Sequence, residues 1–254
     1  DDVFLTADSS KTTGYVLDQP ALPMGPGSKV VFEALFDSIR GVDGFSPLAP
    51  FVVALPAPLD PGSVPLTAEA SVDPLATIML FDVSTGAGGG QRVPFSVMLK
   101  SYESATAELE HALLVFPAVR LTPSRSYALV VTRRALVDPS RPLEPSAFQR
   151  QAIDGARSTK ALERTGAIDD QVMEVLATAY PPLRRDDVAL VSRATVRSMP
   201  NVASDMLAVR EALAKLPLPT FSIDDVSPDT DPASPVRAIV TGTWQQPTFW
   251  GDHF

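Results

Sequence analysis

With no cysteine and only two histidines, the chain has few groups able to run nucleophilic or acid–base chemistry. The imidazoles belong to His111 and His253. A serine hydrolase needs its nucleophile on a sharp strand-to-helix elbow, usually G-x-S-x-G, beside a histidine base. No G-x-S-x-G occurs. The nearest look-alikes, Gly44-Phe45-Ser46 and Gly25-Pro26-Gly27-Ser28, lack the elbow and follow no strand signal. His111 opens a predicted strand, where an imidazole is ordinarily structural or solvated. His253 stands one residue from the end, where chains are poorly ordered. No catalytic residue is therefore expected within the chain.

Metal and phosphate chemistry fare no better. The absence of cysteine removes thiolate ligands and cysteine nucleophiles. Glu110-His111 has neither an H-E-x-x-H frame nor a second nearby ligand. "STGAGGG" (84–90) resembles a phosphate cradle, but no Lys-Ser/Thr follows it and it joins two strand-like runs, so a hairpin loop is expected. Asp224, Asp225, Asp229 and Asp231 could offer oxygens to calcium, although the EF-hand glycine and terminal glutamate are missing. The default for that loop is a solvated acidic turn. No cofactor and no metal are expected.

The elements around these residues are mainly β. Twenty-five prolines in 254 residues favour short strands and rigid loops over long helices, because proline fixes φ and removes a donor. After Phe51, five short apolar runs follow one another, separated by Pro, Gly, Asp and Ser: "FVVAL", "ATIMLFDV", "QRVPFSVMLK", "HALLVFPAVRL" and "SYALVVTRRAL". This spacing predicts a sandwich. Leu121 to Tyr127 reads as a corner, with Pro123 and Ser124 in the turn. Tyr127 would bury its ring there while its hydroxyl caps upstream backbone. Ahead of these runs, "KVVFEALFDSI" reads as a short helix in an otherwise extended stretch. Beyond Ser146 helical spacing returns, in "PSAFQRQAI" and in "DDQVMEVLATAY". In the latter, Val172, Val175, Leu176 and Ala179 share a face, and Asp169 and Asp170 are placed at the N-terminus. "NVASDMLAVREALAKL" is a further helix, capped by Asn201, with Met206, Val209, Arg210 and Leu213 at helical spacing. "FSIDDV" and "VRAIVTGTW" are strands. The fold class is thus mainly β with a few helices, an Ig-like β-sandwich plus a smaller α+β segment. Its parts are an extended segment (1–50), the sandwich (51–145) and the α+β segment (146–254).

A net charge of −9 repels phosphate backbones, so no nucleic-acid partner is expected. No run reaches the roughly 18 apolar residues of a membrane span. The chain opens at Asp1 without a methionine, a preceding segment is expected to have been removed, and export to the periplasm, cell surface or medium is the expectation. Trp244, Phe249 and Trp250 mark an apolar C-terminal surface that should meet a partner.

Several segments, taken together, carry a resemblance. They are Asp2-Val3-Phe4, Asp43-Gly44-Phe45-Ser46-Pro47, Leu59-Asp60-Pro61-Gly62-Ser63-Val64, Asp82-Val83-Ser84-Thr85-Gly86, "RLTPSRSYALVVTRRALVD", "SDMLAVREAL" and "VTGTW". In this order they resemble the N-terminal Ig-like accessory region of large bacterial lipase and esterase-like proteins of the α/β-hydrolase class. The resemblance covers most of the chain, mainly through turn and core residues. It implies a non-catalytic scaffold that orients or covers a serine carboxylic-ester hydrolase domain, which would begin near Phe254 and pack near the C-terminal aromatics. The alternative is a free-standing cell-surface binding or assembly module with an Ig-like fold.

Overall fold

Burial on one face or on two decides how each strand of this chain reads. In the computed structural model, which describes residues 2–17, 39, 41–86, 88–103, 109–138 and 140–245, β4 (Ile78–Asp82) and β7 (Ser126–Thr132) are buried along nearly their whole length. By contrast β5 (Phe95–Glu103) alternates inside and outside over its first half. A continuous apolar run means cover on both faces, whereas alternation means one wet face.

The topology accounts for the difference. The first two strands, β1 (Leu5–Ala7) and β2 (Tyr15–Leu17), form a small hairpin. One three-stranded antiparallel sheet has the order β3-β6-β5, with β3 at Phe51–Leu55 and β6 at Leu109–Pro117. The other has the order β10-β7-β4, with β10 at Val188–Thr195. Phe51, Val53, Phe95, Leu113 and Val115 of the first sheet share one core with Ile78, Leu80, Leu129 and Val131 of the second. The opposite face of the second sheet carries Met79, Phe81, Ala128 and Val130. These pack in a second core with Ile168, Val172 and Leu176 of a long helix. The result is sheet on sheet on helix. Minor elements are α1 (Ala68–Ser71), a short pair formed by β8 (Leu136–Asp138) and β9 (Arg141–Pro142), and α2 (Ala147–Ile153).

That long helix, α3, runs Lys160–Ala179. Asp169 and Asp170 therefore lie mid-helix, not at its start as the sequence suggested. Thr159 is the N-cap, its hydroxyl accepting from Leu162 N at 3.2 Å. Gly166 hides the continuity in the sequence, since glycine weakens a helix interior. Its absent side chain leaves room for the guanidinium of Arg157, and a Cβ there would come within 1.7 Å of Arg157 Nη1. Val172 and Leu176 are buried and Val175 is half-buried as expected, but Ala179 is exposed.

The predicted corner forms. Tyr127 is buried at 4% exposure, and its hydroxyl accepts from Thr122 N at 3.0 Å. Ser124 sits at φ 62, in the left-handed region, inside the turn. The glycine-rich turn closes a short hairpin in which Phe81 bridges Arg92, and the chain then crosses to the other sheet as β5. Gly90, at φ 83, must be glycine for a second reason: a Cβ would come within 2.1 Å of Ala179 Cβ.

The chain divides into two compact units, Asp1–Val202 and Ala203–Phe254. The divide falls inside α4 (Met199–Lys215), and α2, α3 and β10 belong to the first unit with the strands of 51–145. The N-terminal turn of α4 is capped by Ser198, whose Oγ accepts from Asn201 N at 3.3 Å. Asn201, expected as the cap, instead donates through Nδ2 to Gly41 O at 3.0 Å. No residue of α4 is buried; of the face expected there, Met206, Arg210 and Leu213 are exposed and Val209 is half-buried. The second unit holds the hairpin of β11 (Phe221–Pro228) and β12 (Ala238–Trp244). Twelve strands in five small antiparallel sheets, with four α-helices, make the described residues mainly β. No helix among them is long and apolar enough to cross a membrane. The expected helix within 29–39, His253, Phe249 and Trp250 lie outside the described residues, apart from residue 39.

Candidate functional site

Strand register brings one serine to one histidine. β5 and β6 pair Ser101 with His111, and Ser101 Oγ lies 2.8 Å from His111 Nδ1. Local sequence does not announce this partner, because only the pairing of two strands juxtaposes them. The adjacent acid points away, since successive side chains leave a strand on opposite faces. Glu110 accepts instead from the Tyr102 hydroxyl at 2.7 Å, which holds that phenol above its ordinary pKa. The other ring nitrogen of His111 has no carboxylate partner among the described residues, and the Ser101–His111 contact is solvent-exposed. A hydroxyl–imidazole pair without an orienting acid lacks one of the three groups of the acyl-transfer triad.

The acidic loop does not assemble a cation site. Asp229 accepts from Asp231 N at 2.9 Å, and Asp231 from Ala233 N at 2.8 Å. Asp225 accepts from Ser227 Oγ at 2.7 Å. The Ser234 hydroxyl, with the Asp231 amide, holds the Asp229 carboxyl below its usual range. These are local turn closures. No group of three or more metal-ligating side chains occurs among the described residues.

The aspartates of the quoted segments also have structural posts. Asp2 is buried at 4% exposure. It accepts from Thr195 N and Oγ1 at 2.6 and 2.7 Å and from Arg193 Nε at 2.6 Å, tying the N-terminal turn to β10. Asp43 accepts from Ser198 N at 3.1 Å, where α4 begins. Asp60 accepts from Gly62 N at 3.1 Å. Asp82 caps its own turn through Ser84 N at 3.0 Å and pairs with Arg125. A carboxylate that accepts backbone N–H groups or a guanidinium fixes chain direction at a corner. It does not thereby do chemistry.

One buried carboxyl stands apart. Asp169 is 1% exposed, and its Oδ2 accepts from Gln149 Nε2 of α2 at 2.7 Å. Its Oδ1 has no partner among the described residues. The neighbouring guanidinium groups of Arg157 and Arg185 are held by Asp170 instead, at 2.9 and 2.7 Å. Burial pushes the Asp169 carboxyl up to about 7, against a smaller opposing pull from Arg185 and Gln149.

Among the described residues, the β11–β12 hairpin carries an exposed apolar face. Directly opposed residues share a face, and the register opposes Phe221 to Trp244, Ile223 to Gly242, Val226 to Val240 and Pro228 to Ala238. A bulge between Ile223 and Asp225 resets the alternation, so Val226 stays on the side of Ile223. The other face pairs Ser222 with Thr243, Asp225 with Thr241 and Ser227 with Ile239. Phe221, Ile223, Val226, Val240 and Trp244 are 52–74% exposed. Of the expected C-terminal aromatics, Trp244 thus lies on an apolar face that the sequence did not delimit.

Comparison with known proteins finds no match: no family model, curated protein or solved structure matches the chain.

Proposed function

We propose that this chain is a non-catalytic accessory region of an exported bacterial lipase- or esterase-like protein, in which an Ig-like sandwich orients or covers an α/β-hydrolase domain. The observation that carries the reading is the apolar face of the hairpin, exposed among the described residues. A two-stranded hairpin is marginal by itself in water, and a contiguous apolar patch of this kind ordinarily meets a partner. Covering Phe221 and Trp244 would gain about 3 kcal/mol each at about 25 cal/mol/Å². The bulge supports a dedicated face, because it keeps apolar residues together where plain alternation would scatter them. The tyrosine corner at Tyr127 supports the Ig-like description of the sandwich.

The test is to read the gene beyond the codon for Phe254 and to assay both products. The expected frame continues into a segment with G-x-S-x-G. The expected chain of residues 1–254 releases no p-nitrophenol from short-chain p-nitrophenyl esters. A frame that closes soon after Phe254 would overturn this reading in favour of a free-standing surface module.

A further inference from the structure

The outer strands β3 and β10 face each other at one side of the sandwich, and a cleft of about 460 Å³ runs between them. That volume lies within the roughly 300–1,000 Å³ of small-molecule sites. Phe4, Phe45, Phe51 and Phe148 contribute to its wall, with Leu190. Its polar groups are Gln149, Thr165 and Ser192, and no charged side chain lines it. All three retain hydrogen-bonding capacity. Gln149 directs its amide nitrogen to Asp169, which leaves the carbonyl oxygen, and the hydroxyls of Thr165 and Ser192 make no hydrogen bond among the described residues.

We infer that this cleft binds a neutral amphiphile, a medium-length alkyl chain ending in a hydroxyl, with the chain against the phenylalanines and the hydroxyl among Gln149, Thr165 and Ser192. An anionic head is disfavoured, because the cleft offers no cation and the Asp169 carboxyl stands directly behind Gln149. A cationic head finds no carboxylate in the lining. A hydroxyl both gives and accepts a hydrogen bond, which suits a carbonyl beside two hydroxyls. This inference concerns the first unit alone and stands whether or not the chain serves a hydrolase.

The test is titration of the isotope-labelled full chain with 1-decanol, followed by amide chemical shifts. Saturable shifts are expected in 45–54, 148–165 and 190–192. Decanoate at pH 8 should bind at least about tenfold more weakly than decanol, reflecting a head without a proton to give beside a like charge. Thr165→Val should weaken decanol roughly two- to tenfold, the usual worth of one hydrogen bond. Phe148→Glu, at a rim position 44% exposed, should weaken it about tenfold or more. Val52→Glu, at 65% exposure, provides the same test if the first rim variant misfolds. Absence of saturable shifts in the wild type, shifts scattered over the surface, decanoate binding as tightly as decanol, or a folded rim variant that binds normally would each overturn the inference.

Discussion

Replacing Asp169 with asparagine should stabilise the protein at alkaline pH and do so less and less as the pH falls. The carboxyl is 1% exposed, has one hydrogen bond, from Gln149, and lends both adjacent arginines to Asp170. Burial raises it from 3.8 to about 7. Because the folded pKa lies above the unfolded one, the folded state holds its proton more tightly. Stability from this group is therefore intact below about pH 4, falls as the pH rises and levels off above about 7. At roughly 1.4 kcal/mol for each pH unit between the two pKa values, the full loss is about 4 kcal/mol. Asparagine carries no proton to lose and can still accept from Gln149. Its amide donors incur a desolvation cost of about 1–3 kcal/mol, but equally at every pH. The stability difference between variant and wild type should therefore grow in the variant's favour by about 2–3 kcal/mol between pH 5 and pH 8. Urea titrations at those two values, with matched ionic strength, measure it. A difference that is constant across the range would refute the assignment of a buried, protonatable carboxyl at this position.

Tyr127→Phe strands the Thr122 amide under the corner and should cost about 1 kcal/mol in urea unfolding, with the fold retained by circular dichroism. Gly90→Ala must adopt φ 83 and overlap Ala179, so a loss of about 2–4 kcal/mol is expected in the same assay. Asp2→Ala leaves Arg193 buried without its carboxylate and should cost about 3–5 kcal/mol, read as a lower unfolding midpoint. Glutamate at both Phe221 and Trp244 should leave unfolding of the first unit within about 0.5 kcal/mol of wild type, since these positions are already exposed.

What the sequence disclosed depended on the range of the interaction. The strands β3 to β7 were legible because each is a short apolar run between Pro, Gly and Asp breakers. The corner was legible because Tyr127 and the amide it caps are five residues apart. The start of α3 was not, because Gly166 mimics a break and only the packing of Arg157 over it shows why the helix continues. Nor could the posts of the quoted aspartates be foreseen. Asp2 and Arg193 meet across 191 residues, and Asp43 and Ser198 across 155. Ser101 meets His111 only through strand register. The apolar hairpin face depends on a bulge, which local composition does not announce.

Ester hydrolysis by residues 1–254 alone, compared with the same residues continued along their natural reading frame, tests the central claim most directly. We expect p-nitrophenyl butyrate turnover at the buffer rate from the first. From the second we expect robust turnover, which falls when Phe221 and Trp244 on the hairpin face become glutamate. Turnover by residues 1–254 alone that disappears with Ser101→Ala or His111→Ala would contradict the account.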